Sequence, residues 1–417
     1  MTALLASIVE FRNFLGTHVL FALGAMLLIG YLIGRLCGII KLPEITGFII
    51  AGIVVGESVL GVVPYTMTPS MKVITEVALG LIALAIGAEF SLAKLRRLGV
   101  EIVFMVVAQL VLVFVAVAGV LSLLGLDPAF AIILGSIATA SSPAVIVAIV
   151  QNLRAHGTFV DYLYGIVALL DAGTVILFGI SFSLAVGMLG LTAAGAGPFT
   201  LFLSAVLEVV LSLVAGAIVG LFLHATIRRR RRSGEIMIIT LGTVFIVTAV
   251  AIVFHLSPLL VNMTAGAVLI NLSARHHRVF RSLEPLTPPI YALFFVLAGV
   301  ELRLALLMNP QILLLGGAYI VARNVMKTAS VYLGGRAAKV PKVTAGNLGL
   351  CMFPQAGVAL GLVLMVQASP FTAMMAPQQT ALVDTMVNIV LLSVFINQLV
   401  GPPILKRAIL RGNNMEE

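Results

Sequence analysis

The chain has 417 residues, 61% of them hydrophobic and only 10% charged, with a mean hydropathy of +1.19. No soluble domain of this size needs so much apolar surface, and the class is an all-α polytopic membrane protein. The net charge of +9 would suggest nucleic acid on a soluble chain, but most Lys and Arg residues fall between apolar runs, so no nucleic-acid partner is expected.

The runs are too long and unbroken for the alternating strands of a membrane β-barrel. About thirteen transmembrane helices are predicted, at 17–39, 43–54, 71–90, 100–124, 129–150, 160–188, 200–227, 236–254, 257–272, 288–307, 312–333, 345–366 and 380–400. The second is short as drawn and is expected to run past Val54. The first lacks the short apolar core and cleavage site of a removed signal peptide, and none is expected. The two cysteines, Cys37 and Cys351, lie in apolar helix sequence and form neither a disulfide framework nor a metal site.

Basic residues alternate between the connecting loops. One set of loops carries Lys41, Lys94, Arg96, Arg97, Arg154, Arg228–Arg232, Arg275, Arg278, Arg281, Arg336, Lys339, Lys342 and the tail Lys406, Arg407 and Arg411. The other carries few, chiefly Arg12, Lys72 and Arg303. The positive-inside rule then places the N-terminus outside and the C-terminus in the cytoplasm. The run Arg228–Arg232 reads first as a topology anchor and second as an attraction for anionic lipid.

Two spans are interrupted. The fifth has Thr139, Ala140, Ser141, Ser142 and Pro143 at its centre, and the twelfth has Pro354, Gln355 and Gly357 at similar depth. Proline removes a backbone donor and clashes with the preceding turn. The interruptions lie seven spans apart, and an odd offset means opposite orientation. This is the pattern of two inverted six-helix repeats, expected at 17–188 and 236–400 and joined by a linker helix at 200–227. Broken backbone at membrane depth is tolerated only inside protein or along an aqueous cavity, which points to a transport site. Prolines that merely kink their helices are the bland alternative.

Few ionisable groups lie deep in the spans. Asp171, in "GIVALLDAGTVILFGI", has no charge within a turn on either side, and Leu170 precedes it. Arg323 and Lys327 lie four residues apart on one face of the eleventh span. A charge at the bilayer centre costs at least ~2.5–3.5 kcal/mol on the insertion scale, so an intramembrane ionisable residue is a functional candidate by default. Asp171 is read as functional. Arg323 is read as a structural or electrostatic partner, and Lys327 as either a site residue or one that snorkels. Glu208 is expected to serve helix packing or a lipid contact, and Asp127 to cap a helix locally. Burial favours a protonated carboxylate and a nearby cation favours an ionised one. An aspartate balanced between them can exchange a proton for a small cation, with freed carbonyls and the hydroxyls of Thr139, Ser141 and Ser142 as further oxygen ligands.

In chain order, "LPEITGFIIAGIVVGESVLG", "EVALGLIALAIGAEFSLAKLRR", "ATASSPAVIVAIV", "LLDAGTVILFG", "PPIYALFFVLAGVELRL" and "LGLCMFPQAGVALGLVL" resemble successive signatures of the monovalent cation:proton antiporters. The branch most resembled holds the Kef-type and NapA-type transporters, and the "INQLVGPPILKRAIL" tail is similar too. The resemblance implies an elevator transporter of NhaA/NapA-like fold, in which a fixed dimer domain supports a moving core domain. Core helices are expected within 71–90, 100–188 and 288–366, with broken helices crossing at 138–144 and 353–357. It implies a homodimer in a bacterial inner membrane that exchanges Na+ or K+ for H+ without a cofactor. Asp171 matches the family's ion-binding aspartate, a transient ligand of the monovalent cation, and Arg323 its basic residue, with Lys327 one turn away. The chain departs from the family in carrying Leu170 where relatives have Asp, Asn or Gln, which predicts one-for-one, electroneutral exchange. It also stops at "RGNNMEE", where many Kef-type chains continue into a regulatory domain, so regulation by that route is not expected. The alternatives are a passive cation channel, for which no filter-like string is present, an organic-anion carrier using Arg323, and a non-transporting sensor. His276 and His277 sit in a basic loop without a nucleophile–base constellation, so the chain is not expected to be an enzyme.

Overall fold

The computed structural model describes residues 18–39, 44–89, 99–190, 198–227, 232–254, 256–272, 277–304, 309–369, 371–372 and 375–413. These form sixteen α-helices and one 3₁₀ helix, and the β-structure among them is a single bridge between Gly56 and Val63. The basic residues 228–231 and the tail from 414 lie outside the described residues.

The first helices are α1 (Val19–Ile39), α2 (Glu44–Val55) and, after a 3₁₀ turn at Tyr65–Met71, α3 (Lys72–Glu89). Next come α4 (Val100–Leu123), α5 (Pro128–Ala138), α6 (Pro143–Leu153), α7 (Thr158–Met188) and α8 (Pro198–Ile227). The later helices begin with α9 (Ser233–Val253), α10 (Pro258–Leu272), α11 (His277–Leu283) and α12 (Thr287–Glu301). The last are α13 (Pro310–Ala337), α14 (Lys342–Leu350), α15 (Gly357–Ala368) and α16 (Pro377–Asn413).

Six of these helices are long and apolar enough to cross a membrane. Others are not: α5 and α6 have 11 residues each, about 16 Å, roughly half of a ~30 Å hydrocarbon layer. The same holds for α14 and α15, with 9 and 12 residues. Three predicted spans differ in extent. The second does not run on: it ends at Val55, one residue past Val54, because Gly56 turns back and Gly61 adopts φ +62°. The last continues through Pro402 and Pro403 to Asn413. The tenth, α12, stops at Glu301, short of the expected 307, with 305–308 outside the described residues.

Two sets of contacts organise the bundle. In one, α2 packs on α1 and α12, and α10 packs on α3, α8 and α9. In the other, α13 runs along α4 and α14, while α5 packs on α4 and α7. Thus α3 and α12 make their closest packing with α10 and α2, not with α4 or α13.

Glycine permits the closest approaches. Gly52 of α2 faces Gly299 of α12, and Gly87 of α3 faces Gly266 of α10; a Cβ at any of these would overlap the opposing backbone. Gly135 likewise sits against α4 at Phe114, and Gly349 against α13 at Thr328. With no hydrophobic gain between helices in lipid, such small-residue contacts are a main source of packing energy. Substituting Gly52 or Gly266 by Ala should destabilise the protein by ~1–3 kcal/mol. Gly24→Ala, where a Cβ meets nothing within 4 Å, should be neutral. Thermal melting in detergent measures all three, and equal melting temperatures would rule out these crossings as stability determinants.

Candidate ion-binding site

α5 starts cleanly: Asp127 accepts the Ala129 amide at 2.8 Å and Pro128 occupies the first turn, where its missing N–H costs nothing. The helix stops at Ala138, with Thr139 as its C-cap, and resumes at Pro143, leaving Ala140, Ser141 and Ser142 between the two helices. The second break runs from Cys351 to Ala356 and includes Pro354 and Gln355; Gly357 opens α15. Both breaks expose carbonyls in a buried place, and an unpaired buried carbonyl costs ~1–3 kcal/mol.

α13 supplies the donors. It is started by Pro310 and by Asn309, whose side chain accepts the Gln311 amide at 2.9 Å. Arg323 and Lys327 project from one face, both fully buried. Arg323 Nη2 donates to Ala140 O at 2.9 Å, and its Nη1 donates to Phe353 O at 3.0 Å and to Asn324 Oδ1 at 2.8 Å. One guanidinium therefore ties the two breaks together. Lys327 Nζ donates to Thr139 O at 2.8 Å and to Ser141 Oγ at 2.7 Å. Lys327 is held at the first break and does not snorkel.

Asp171, on α7, is buried beside this cluster, and neither carboxylate oxygen accepts a hydrogen bond. Lys327 faces it as a basic neighbour, and the Ser141 backbone N–H is turned toward it from outside hydrogen-bond geometry. Three residues along α7, the Thr174 hydroxyl meets the Thr139 hydroxyl at 2.8 Å. Ser142 is buried, its carbonyl accepting the Ile146 amide at 3.3 Å at the start of α6. Leu170 belongs to an apolar cluster with Val167, Cys351 and Met352.

Of the residues singled out in the sequence, Asp171, Thr139, Ser141, Arg323 and Lys327 thus come together. Gln355 turns elsewhere: it accepts the Ser393 hydroxyl at 2.8 Å and its Nε2 lies 3.4 Å from the Tyr319 hydroxyl. Asn397 extends this second network, donating to Ser393 and accepting from Asn324 Nδ2 at 2.8 Å. Sequence reasoning missed Thr174, which the three-residue spacing from Asp171 signals, and Asn324, which adjoins Arg323. It had no signal for Tyr319, Ser393 or Asn397.

Two acidic residues outside this centre also find partners. Glu208 accepts the Ser183 hydroxyl of α7 and borders a cavity with Glu76, so it is a contact between helices. Asp384, early in α16, pairs with Arg303 Nη1 at 2.9 Å, and the Arg303 guanidinium lies 5.0 Å over the Tyr65 ring.

A buried carboxylate with two open oxygens, buried cations at two helix breaks and an all-helical apolar bundle define a membrane transporter. Residues 23–407 match the family described as sodium/hydrogen exchanger, transmembrane, and the chain belongs to it; it is an integral membrane transporter and not an enzyme. It is 24% identical over 344 residues to the ammonium/H+ antiporter subunit AmhT of Alkalihalophilus pseudofirmus, covering 80% of this chain and 83% of that protein. Against the high-affinity Na+/H+ antiporter NhaS3 of Synechocystis it is 23% identical over 323 residues, 67% of each chain. In fold it resembles the sodium proton antiporter MjNhaP1 of Methanocaldococcus jannaschii, with a TM-score of 0.73 at 17% identity over 93% of this chain and 97% of that one. These relatives carry AmhT, NhaS3 and NhaP names, not the Kef or NapA names of the sequence resemblance.

The bidentate role of Arg323 gives a specific expectation. Arg323→Lys keeps the charge but loses the planar fork, leaving Ala140 O or Phe353 O without its donor. The expected loss is ~1–3 kcal/mol, read as a lower melting temperature in detergent. A variant as stable as wild type would show that the breaks are held otherwise.

Proposed function

We propose that this chain exchanges a monovalent cation, Na+ or K+, for H+, with Asp171 binding the two ions in turn. The observation that carries the reading is the buried Asp171 carboxylate, both oxygens free of hydrogen bonds, set beside Lys327 and two helix breaks. Removing the proton opens a ligand site bordered by the hydroxyls of Thr139, Thr174 and Ser141. A cation entering that site repels the proton, so the two compete for one carboxylate. Alternating exposure of such a site to the two sides yields antiport without separate gating chemistry. Leu170 offers no second titrating group, which supports one-for-one, electroneutral exchange. The Kef- or NapA-type placement is part of the proposal and rests on the quoted sequence strings.

The elevator reading draws support from packing. Exchanging the elements before α8 for those after it carries the α2–α12 contact onto α10–α3, α4–α5 onto α13–α14, and α5–α7 onto α14–α16. The glycine contacts follow: Gly52 with Gly266, Gly135 with Gly349 and Gly87 with Gly299 keep nearly one sequence offset. This supports inverted repeats with α8 as their linker. We assign α4–α7 and α13–α16 to the moving core and the remaining helices to the scaffold. That moves 71–90 and 288–307 out of the core suggested by the family resemblance, because of their packing on α10 and α2. The proposal includes a homodimer in a bacterial inner membrane, N-terminus outside and C-terminus cytoplasmic.

Two experiments test this. In proteoliposomes, Na+- or K+-dependent dequenching of a pH dye should be abolished in Asp171→Asn while the variant melts as wild type does. Turnover in wild type should not respond to an imposed membrane potential. Transport by Asp171→Asn would remove the site assignment, and a potential-dependent rate would remove electroneutrality. For the elevator, Arg303→Cys with Asp384→Cys joins scaffold to core where the ion pair stands. A reducible bifunctional cross-linker should stop exchange and a reductant restore it; undiminished exchange while cross-linked would refute relative motion there.

A further inference from the structure

A groove of about 640 Å³ opens on the outer side of α13, away from Asp171. Ile320, Asn324, Thr328 and Tyr332 line it along one helical stripe, four residues apart, with Gly346 of α14 and Phe353 of the second break opposite. From residue 320 to 332 the stripe rises about 18 Å, somewhat more than half of a ~30 Å hydrocarbon layer. Its inner end is at the helix break and its outer end at the short turn joining α13 to α14.

That outer end is basic. Arg336 continues the stripe one turn beyond Tyr332, and Lys342 lies one turn before Gly346 on the same face of α14. Lys339, in the turn with φ +64°, adds a third charge. Arg336, Lys339 and Lys342 are all exposed, and among the described residues their side chains make no ion pair or hydrogen bond. Asn324 and Thr328 apart, the groove is walled by apolar and aromatic groups, Ile320, Val321, Val325 and Phe353 among them, and ending it with exposed cations creates two requirements. One is for a hydrocarbon chain, the other for an anion at headgroup depth.

We propose that this groove is a binding site for an anionic phospholipid, with one acyl chain along α13 and its phosphate between Arg336 and Lys342. The chain end reaches Asn324, which accepts Arg323 Nη1 and donates to Asn397. Occupancy therefore buttresses the side chain that orients the Arg323 fork, and connects lipid composition to the broken helices.

The test uses the full chain, which has no tryptophan. Tyr332→Trp places the chain's sole tryptophan in the groove, excited apart from its tyrosines at about 295 nm or above. The variant is reconstituted in vesicles containing either brominated-chain phosphatidylglycerol or brominated-chain phosphatidylcholine at equal mole fraction. Quenching should favour phosphatidylglycerol, with about a fivefold affinity preference for each basic residue engaged. Adding Arg336→Gln and Lys342→Gln should abolish the preference, and Arg336→Lys with Lys342→Arg should retain it. Equal quenching by both lipids overturns the proposal, as does a preference that survives both Gln substitutions. A groove covered by a second copy of the chain would leave the tryptophan insensitive to either lipid, which also overturns it.

Discussion

The structure depends on how broken backbone is kept inside a membrane. Two helices stop halfway, and each stop leaves carbonyls that neither lipid nor an intact helix can satisfy. The solution is a pair of basic side chains on an unbroken helix. Arg323 reaches Ala140 O and Phe353 O at once, and Lys327 holds Thr139 O and Ser141 Oγ. Two buried basic side chains are themselves costly, and the freed carbonyls they bond offset only part of that cost. A buried carboxylate nearby completes the compensation. Asp171, the cations and the breaks are each unfavourable alone and become tolerable together.

This mutual dependence explains why the site was readable in outline from sequence. Pro143 and Pro354 mark the breaks because proline cannot sustain a helix, and Asp171, Arg323 and Lys327 stand out because so few charges are embedded in apolar runs. What sequence does not carry is rotation about helix axes between distant elements. Gln355 has the polarity and depth of a site residue, yet turns to Ser393 and Tyr319. Arg303 and Asp384 lie 81 residues apart in the chain, and only tertiary folding places them 2.9 Å from each other. Helix pairing was equally hidden, because an apolar run in a membrane shows no amphipathic face to reveal its neighbour. The partners of α3 and α12 are set by where Gly87 and Gly299 allow backbones to touch.

Under the proposed repeat, the site owes its chemistry to a break in symmetry. The offset that relates Gly135 to Gly349 relates the break at 139–142 to that at 353–356, and residue 109 of α4 to Arg323 of α13. Residue 109 is Gln109, fully buried, with neither amide atom hydrogen-bonded. The two halves thus share a packing plan while only one supplies deep cations. The deep carboxylate comes from the other half, on α7. A neutral glutamine in place of a second arginine spares the crossing a further buried charge. The repeat provides two breaks that meet. The substitution of charge between its halves is what lets their meeting point hold a buried aspartate whose oxygens bond to no side chain.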